Sequence, residues 1–202
     1  MLFSLIENLD KIDIVLASAS PRRFELLKNI GLDFRVEVSD VAENHPDIKE
    51  STELALYNAR IKGCAVANKY PESLIISADT IVVLDNHLMG KPANEQEAYR
   101  MLKTLSARTH KVITAFGLHL LKYEKEHYDW VATDVTFRPL TDEEIWAYIN
   151  TAEPMDKAGA YGIQGQGAIL IEKISGCYYN VVGFPLSRFY EALGNFLSPF
   201  VW

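Results

Sequence analysis

The chain has 202 residues, enough for one sizeable core or for one domain with two lobes around a cleft. Its 49% hydrophobic and 23% charged residues match an ordinary globular protein and exclude the disordered and fibrous classes. A net charge of −7 argues against a general nucleic-acid surface, which needs a basic face to displace counterions, so an anionic ligand requires locally concentrated positive charge.

In chain order, Met1 to Asp13 reads as a short extension of a single unit over residues 1–202, with a helical turn from Ser4 to Asn8. It is acidic and lacks the basic start and long apolar core of a secretory signal. Nowhere does an apolar run approach the roughly 18 residues of a spanning helix, so the expectation is a soluble, cytoplasmic protein with no membrane partner. Ile14, Val15 and Leu16 read as a buried strand, Ala17 to Ser20 as its turn, Ser20 as a helix N-cap and Pro21 as the first helical residue. The first N–H groups of such a helix have no intrahelical partner and lie at the positive end of its dipole, which suits a phosphate. Arg22 and Arg23, the one adjacent arginine pair in the sequence, add two planar forks that can each take a phosphate bidentately. The competing reading is two solvated arginines on a surface helix.

Leu26, Leu27 and Ile30 give this helix an apolar face, and Gly31 is placed to end it in a left-handed cap. Phe34, Val36 and Val38 alternate with Arg35, Glu37 and Ser39, a half-exposed strand that leads Glu43 into the polar loop AENHPDIKES. Leu54, Tyr57, Ile61 and Cys64 recur at helical spacing, which predicts a helix from about Thr52 to Asn68, capped by Thr52 or Ser51, with Lys62 on its polar side. LIISADTIVVLD reads as two strand-like runs interrupted by Ser77-Ala78-Asp79-Thr80. A turn at Asp85-Asn86-His87 then returns the chain to Lys91-Pro92. Asn94 with Glu97 opens a helix whose face is Ala98, Met101, Leu102 and Leu105. His110 to Leu121 and Val131 to Phe137 read as a long hairpin, and Thr141 with Glu144 caps a short helix.

Residues 156–167, DKAGAYGIQGQG, carry four glycines in a stretch too irregular for helix or strand, so the backbone must turn tightly or approach something closely. Ala168 to Ile174 and Tyr178 to Val182 read as strands, and Leu186, Phe189, Tyr190 and Leu193 as a closing amphipathic helix. This alternation gives an α/β fold with a mixed sheet. There is no G-x-G-x-x-G after the first strand, no Walker lysine signature and no G-x-S-x-G. His45, His87, His110, His119 and His127 show no zinc-ligand spacing, and Cys64 and Cys177, without a CxxC, read as buried free thiols.

Asp79 lies within an apolar run, where an unpaired carboxylate would cost several kcal/mol, so it should face a cleft, a metal or a cation. The competing reading is an aspartate hydrogen-bonded to a neighbouring turn. If the loop after the second strand folds over that strand end, Glu43 and Asp79 together make a hard oxygen site suited to Mg²⁺ or Mn²⁺, shared with substrate phosphates and water.

Four motifs in this order, SASPRR, SADT, GKP and DKAGAYGIQG, resemble the Maf family of nucleoside triphosphate pyrophosphatases, from about Ile14 to Phe196. The resemblance implies an elongated mixed sheet flanked by helices around a deep cleft, the architecture shared with ITPase-like proteins. It implies Asp79 as general base, Glu43 and Asp79 around the metal, and Ser20, Arg22, Arg23, Lys62 and Lys91 on the phosphates. Which of the two carboxylates is base and which is ligand stays open. The AGAYGIQG form, with Arg22 and Thr80, resembles the dTTP/UTP branch of the family rather than the 7-methyl-GTP branch. Base choice then falls to Thr80 and Gln164, whose amide can donate to O4 and accept from N3–H of uracil or thymine, although the same amide rotated suits cytosine. A pyrimidine nucleoside triphosphate is thus the expected substrate. A homodimer is the implied assembly; the rival readings are a pyrophosphatase for 7-methyl-GTP or another purine triphosphate, and a non-catalytic nucleotide-sensing role in septum formation.

Overall fold

The computed structural model describes residues 2–43 and 48–198, so the part of the AENHPDIKES loop at 44–47, with His45, lies outside the described residues. The fold is mixed α/β, as expected. A seven-stranded sheet has the order β2-β1-β3-β5-β6-β7, with β4 paired to β3. Its strands are β1 (Ile14–Ala17), β2 (Arg35–Val36), β3 (Leu74–Leu84), β4 (His87–Met89), β5 (Thr109–Leu120), β6 (Lys125–Phe137) and β7 (Ile171–Ser175). β1 is parallel to both neighbours, with Leu16 beside Val36 on one side and Ile76 on the other. β4 and β7 pair antiparallel to β3 and β6.

The chain groups into two compact units, one of residues up to 79 with 114–131 and 183 onward, the other of 80–113 and 132–182. The first contains β1, α1 (Pro21–Asn29), α2 (Ser51–Lys69) and α6 (Leu186–Leu197). Every residue of β1 is buried, as its unbroken apolar run requires of a strand covered on both faces. Val15, Ala17, Val66, Ala67 and Ile75 form one part of this unit's core. Phe116, Phe184 and Phe189 form another, with ring centroids 5.0 to 6.0 Å apart.

α2 buries a different face from the one its large apolar residues mark. Ala55, Asn58, Ala59, Lys62, Gly63, Val66 and Ala67 are the buried set, while Leu54, Tyr57, Ile61 and Cys64 are only half-buried. Small side chains let the helix come close to its neighbours, and that approach takes Lys62 inward instead of leaving it on a polar side. The ring of His119 on β5 fills the space against Gly63, where an added Cβ would come within 1.9 Å of Nε2.

The second unit holds α3 (Glu95–Leu105), α4 (Asp142–Ile149) and α5 (Tyr178–Val182) around a core that includes Val82, Leu102, Phe137, Ile145 and Tyr161. Asn94 caps α3 through the Glu97 N–H at 2.9 Å, and Thr141 with Glu144 forms a reciprocal capping box on α4.

Several expected elements differ. β3 is one continuous strand through Ser77-Ala78-Asp79-Thr80, because the polar side chains of Ser77 and Asp79 find partners and the ladder need not break. Tyr178 to Val182 is helical: buried Asn180 donates Nδ2–H to the Val112 carbonyl and to Thr133 Oγ1, both at 3.0 Å, an anchor that alternation alone does not show. A 3₁₀ turn takes Gly165–Leu170, so β7 starts only at Ile171. The extension forms 3₁₀ turns at Leu2–Leu5 and Leu9–Lys11, with Asn8 in the left-handed region between them. Glu50, not Ser51 or Thr52, caps α2, accepting from the Glu53 N–H at 2.6 Å. Both cysteines are free thiols but only half-buried.

Candidate active site

The turn between β1 and α1 is built as its residues require. Ser20 has extended backbone angles and accepts the Arg23 N–H on Oγ at 3.4 Å, and Pro21 opens the helix. Gly31 takes the left-handed conformation just past the helix end. Arg22 is half-buried near the helix start. Arg23 is buried; its Nε donates to the Gly183 carbonyl at 3.0 Å and its Nη1 to Ser18 Oγ at 3.1 Å. These two bonds fix the plane of the guanidinium, so the solvated reading of the pair does not hold for Arg23. Burial pulls the Arg23 guanidinium below its usual range, the nearby charges of Asp79 and Glu43 push it back up, and Arg22 pulls it down. The helix start therefore lies within electrostatic reach of both carboxylates.

Those carboxylates meet on one ammonium. Lys62 Nζ lies 2.7 Å from Asp79 Oδ1 and 3.0 Å from Glu43 Oε1. Asp79 is buried in mid-strand and Lys62 on the inner face of α2, whereas Glu43 is exposed. The second oxygen of Asp79, Oδ2, accepts the Asn58 Nδ2–H at 3.0 Å. Asp79 thus resolves its burial through a cation and an amide on one helix, four residues apart and so on one face. No sequence motif marks Asn58. Its signal is a polar residue placed i−4 to Lys62 among small residues. Asn58 Oδ1 is buried and has no hydrogen-bond donor among the described residues, a deficit worth about 1–3 kcal/mol if nothing occupies it.

Glu43 and Asp79 supply hard carboxylate oxygens of the type Mg²⁺ and Mn²⁺ accept, so the pair fits such an ion. The ion would share both carboxylates with Lys62. A second set, Cys64, His119 and Glu126, brings potential ligand atoms within 4.8 Å of one another. It is already a hydrogen-bond chain, however. Ser77 Oγ and Tyr128 Oη each lie 3.3 Å from a ring nitrogen of His119, Tyr128 donates to Glu126 at 2.6 Å, and Arg60 pairs with Glu126 at 3.0 Å. Burial lowers the His119 pKa to about 4, which keeps the ring neutral.

Thr80, Lys91 and Gln164 belong to the second unit. Thr80 follows Asp79 on β3, so the pleat sends their side chains to opposite faces. Lys91 and Gln164 are exposed. Within this unit the glycine-rich loop ties to the turn before Lys91 through the Gly159 N–H and the Gly90 carbonyl, 3.0 Å apart. Gly159 has φ +70°, and a Cβ there would press on Val82 at 3.0 Å. Glu153, unmarked by any motif, organises the loop: its carboxylate accepts from Tyr148 Oη at 2.9 Å and from the N–H groups of Gln166 and Gly167 at 3.0 and 3.2 Å.

An α/β sheet with an arginine-bearing helix start within electrostatic reach of a buried carboxylate and ammonium cluster has the chemistry to take a phosphorylated anion. The chain belongs to the Maf family: residues 13–196 match the family model described as Maf-like protein. It is 51% identical over 180 residues, 89% of this chain and 96% of the relative, to a dTTP/UTP pyrophosphatase of Carboxydothermus hydrogenoformans. It is 53% identical over 173 residues, 86% of this chain and 92% of the relative, to a dTTP/UTP pyrophosphatase of Thermococcus onnurineus. Among solved structures, a HAM1 protein from Coxiella burnetii shares the fold with a TM-score of 0.54 at 15% identity, covering 94% of this chain and 100% of that one.

Proposed function

We propose that the protein hydrolyses dTTP and UTP to the nucleoside monophosphate and pyrophosphate. The observation that carries this reading is the junction of Asp79, Glu43 and Lys62 within electrostatic reach of Arg23 and the start of α1. Relatives at about half identity over nearly their whole length carry the names of this activity, and those names favour neither a 7-methyl-GTP substrate nor a non-catalytic role.

In the proposed reaction a water oxygen forms a bond to the α-phosphorus while the bond from that phosphorus to the bridging oxygen breaks, and pyrophosphate leaves. Asp79 accepts the water proton on its carboxylate, which Lys62 and Asn58 hold in place. Ser20, Arg22 and Arg23 hold the phosphates, where charge on the departing pyrophosphate strengthens the arginine contacts. Glu43 and Asp79 would hold Mg²⁺ or Mn²⁺, which when bound neutralises phosphate charge. The roles of Lys91 as a phosphate contact and of Thr80 and Gln164 in base choice rest on the motif match. A cytoplasmic homodimer belongs to the same reading, the dimer resting on the family resemblance alone.

The test is a panel of dTTP, UTP, CTP and 7-methyl-GTP with Mg²⁺ or Mn²⁺, with products resolved by phosphorus NMR. dTMP or UMP with pyrophosphate is expected. A purine preference, or release of orthophosphate alone, would overturn the assignment.

A further inference from the structure

The buried face of α2 presents two polar side chains to Asp79, and the reaction described above uses only the Nδ2 of the second, Asn58. Asn58 lies one turn before Lys62 and is 4% exposed. Its amide orientation is forced. Asp79 Oδ2 is an acceptor, so the amide must turn Nδ2 toward it, and the contact is 3.0 Å. The same constraint leaves Oδ1 as a buried acceptor that no described protein group satisfies. Because Oδ1 and Nδ2 share one rigid amide, Oδ1 is held only a few ångström from the Asp79 carboxylate. Each carboxylate oxygen has a second lone pair, so Asp79 can accept another proton donor while bound to Lys62 and Asn58.

We infer that Asn58 is a positioning residue for hydrolysis: Nδ2 fixes the plane of the Asp79 carboxylate, and Oδ1 accepts one hydrogen of the attacking water while Asp79 faces the other. A water needs several polar partners to be held in one orientation, and these two groups supply two of them. Two directed hydrogen bonds aim the water's lone pair, and Asp79 then takes the proton as the new oxygen–phosphorus bond forms. The attacking water would thus satisfy a buried acceptor that has no donor among the described residues. This inference rests on the proposed pyrophosphatase reaction and deepens it.

The test compares wild type with Asn58→Leu, a near-isosteric change that removes both polar atoms, and Asn58→Ser, which keeps one small donor and acceptor. Steady-state kinetics on dTTP and UTP are measured alongside the affinity for a non-hydrolysable α,β-methylene analogue. Asn58→Leu is expected to lower kcat about 10- to 100-fold, with KM and analogue affinity within about twofold of wild type. Asn58→Ser is expected to recover part of that loss. Far-ultraviolet circular dichroism establishes that each variant is folded, and where Asn58→Leu is not, Asn58→Ser is judged on the same split of kcat from KM. A folded variant with wild-type kcat, or one whose whole defect lies in KM, overturns the inference and leaves the pyrophosphatase reading standing. A wild-type protein that releases no pyrophosphate from either triphosphate defeats that reading, and this inference with it.

Discussion

Lys62 Nζ bridges Asp79 Oδ1 at 2.7 Å and Glu43 Oε1 at 3.0 Å, so one ammonium from α2 ties a mid-strand carboxylate to the loop after β2. Lys62 and Asp79 are both buried, and each removes the cost of burying the other. Lys62→Met should therefore leave Asp79 as an uncompensated buried charge and lower stability by about 3–5 kcal/mol, read from urea unfolding near neutral pH. An unchanged unfolding midpoint would show that the pair is not closed in solution.

Asp79→Asn keeps the size of the side chain and leaves Lys62 its contact with Glu43. Turnover of dTTP should fall by about 10²- to 10⁴-fold, the range for loss of a positioned general base. Single-turnover kinetics on the folded variant measure it, and near-wild-type turnover would remove Asp79 from the chemistry.

The two arginines of α1 should respond differently. Arg23 is bonded to Gly183 and Ser18 in the interior, so its removal costs stability as well as activity, whereas Arg22 is half-buried at the helix start. Arg22→Ala should raise KM for triphosphate and lower kcat several-fold. Unchanged kinetics would separate the start of α1 from the phosphates.

Gly63 is needed where α2 passes the His119 ring. An added Cβ would lie 1.9 Å from Nε2, and the ring is held between Ser77 and Tyr128. Gly63→Ala should destabilise by about 1–3 kcal/mol through overpacking and displace the neighbouring Lys62. Denaturant unfolding together with turnover on UTP tests this; a fully active variant of normal stability would mean that the ring moves aside freely.

Acid should weaken the fold through two buried imidazoles. Burial lowers His119 and His110 from 6.5 to about 4. A depressed histidine pKa means that the unfolded chain binds the proton more readily, so these contributions are complete above about pH 6.5 and are lost as pH falls toward 4. Each is worth up to about 3 kcal/mol, from about 1.4 kcal/mol per pH unit. Melting temperatures measured from pH 7.5 to 4 should fall mainly below pH 6.5. A flat profile across that window would contradict neutral, buried rings.

The capped helices were readable in the sequence because a cap and its helix lie within a few residues of each other: Ser20-Pro21, Asn94 with Glu97, and Thr141 with Glu144 all behave as read. β1 was readable for a similar reason, its run being apolar at every position. α5 was not, because Asn180 is drawn into the interior by Val112 and Thr133, which are distant in sequence. Nor was the buried face of α2, where large apolar residues at helical spacing pointed to the neighbouring face. Hydrophobic spacing ranks faces by side-chain size, whereas close packing against the sheet selects the face with the smallest side chains.

For the site, the sequence by itself determined which residues had chemistry to offer: an aspartate stranded in an apolar run, a capped helix start with two arginines, and a glycine-rich loop. Only the tertiary structure decided that Glu43, Lys62 and Asp79 share one cluster, that Arg23 is seated in the interior, and that Asn58 belongs beside them. The reason is physical. Capping and periodicity act between residues a few positions apart, but the partner of a buried charge is whichever opposite charge the folded chain brings within about 3 Å, and nothing local encodes that distance.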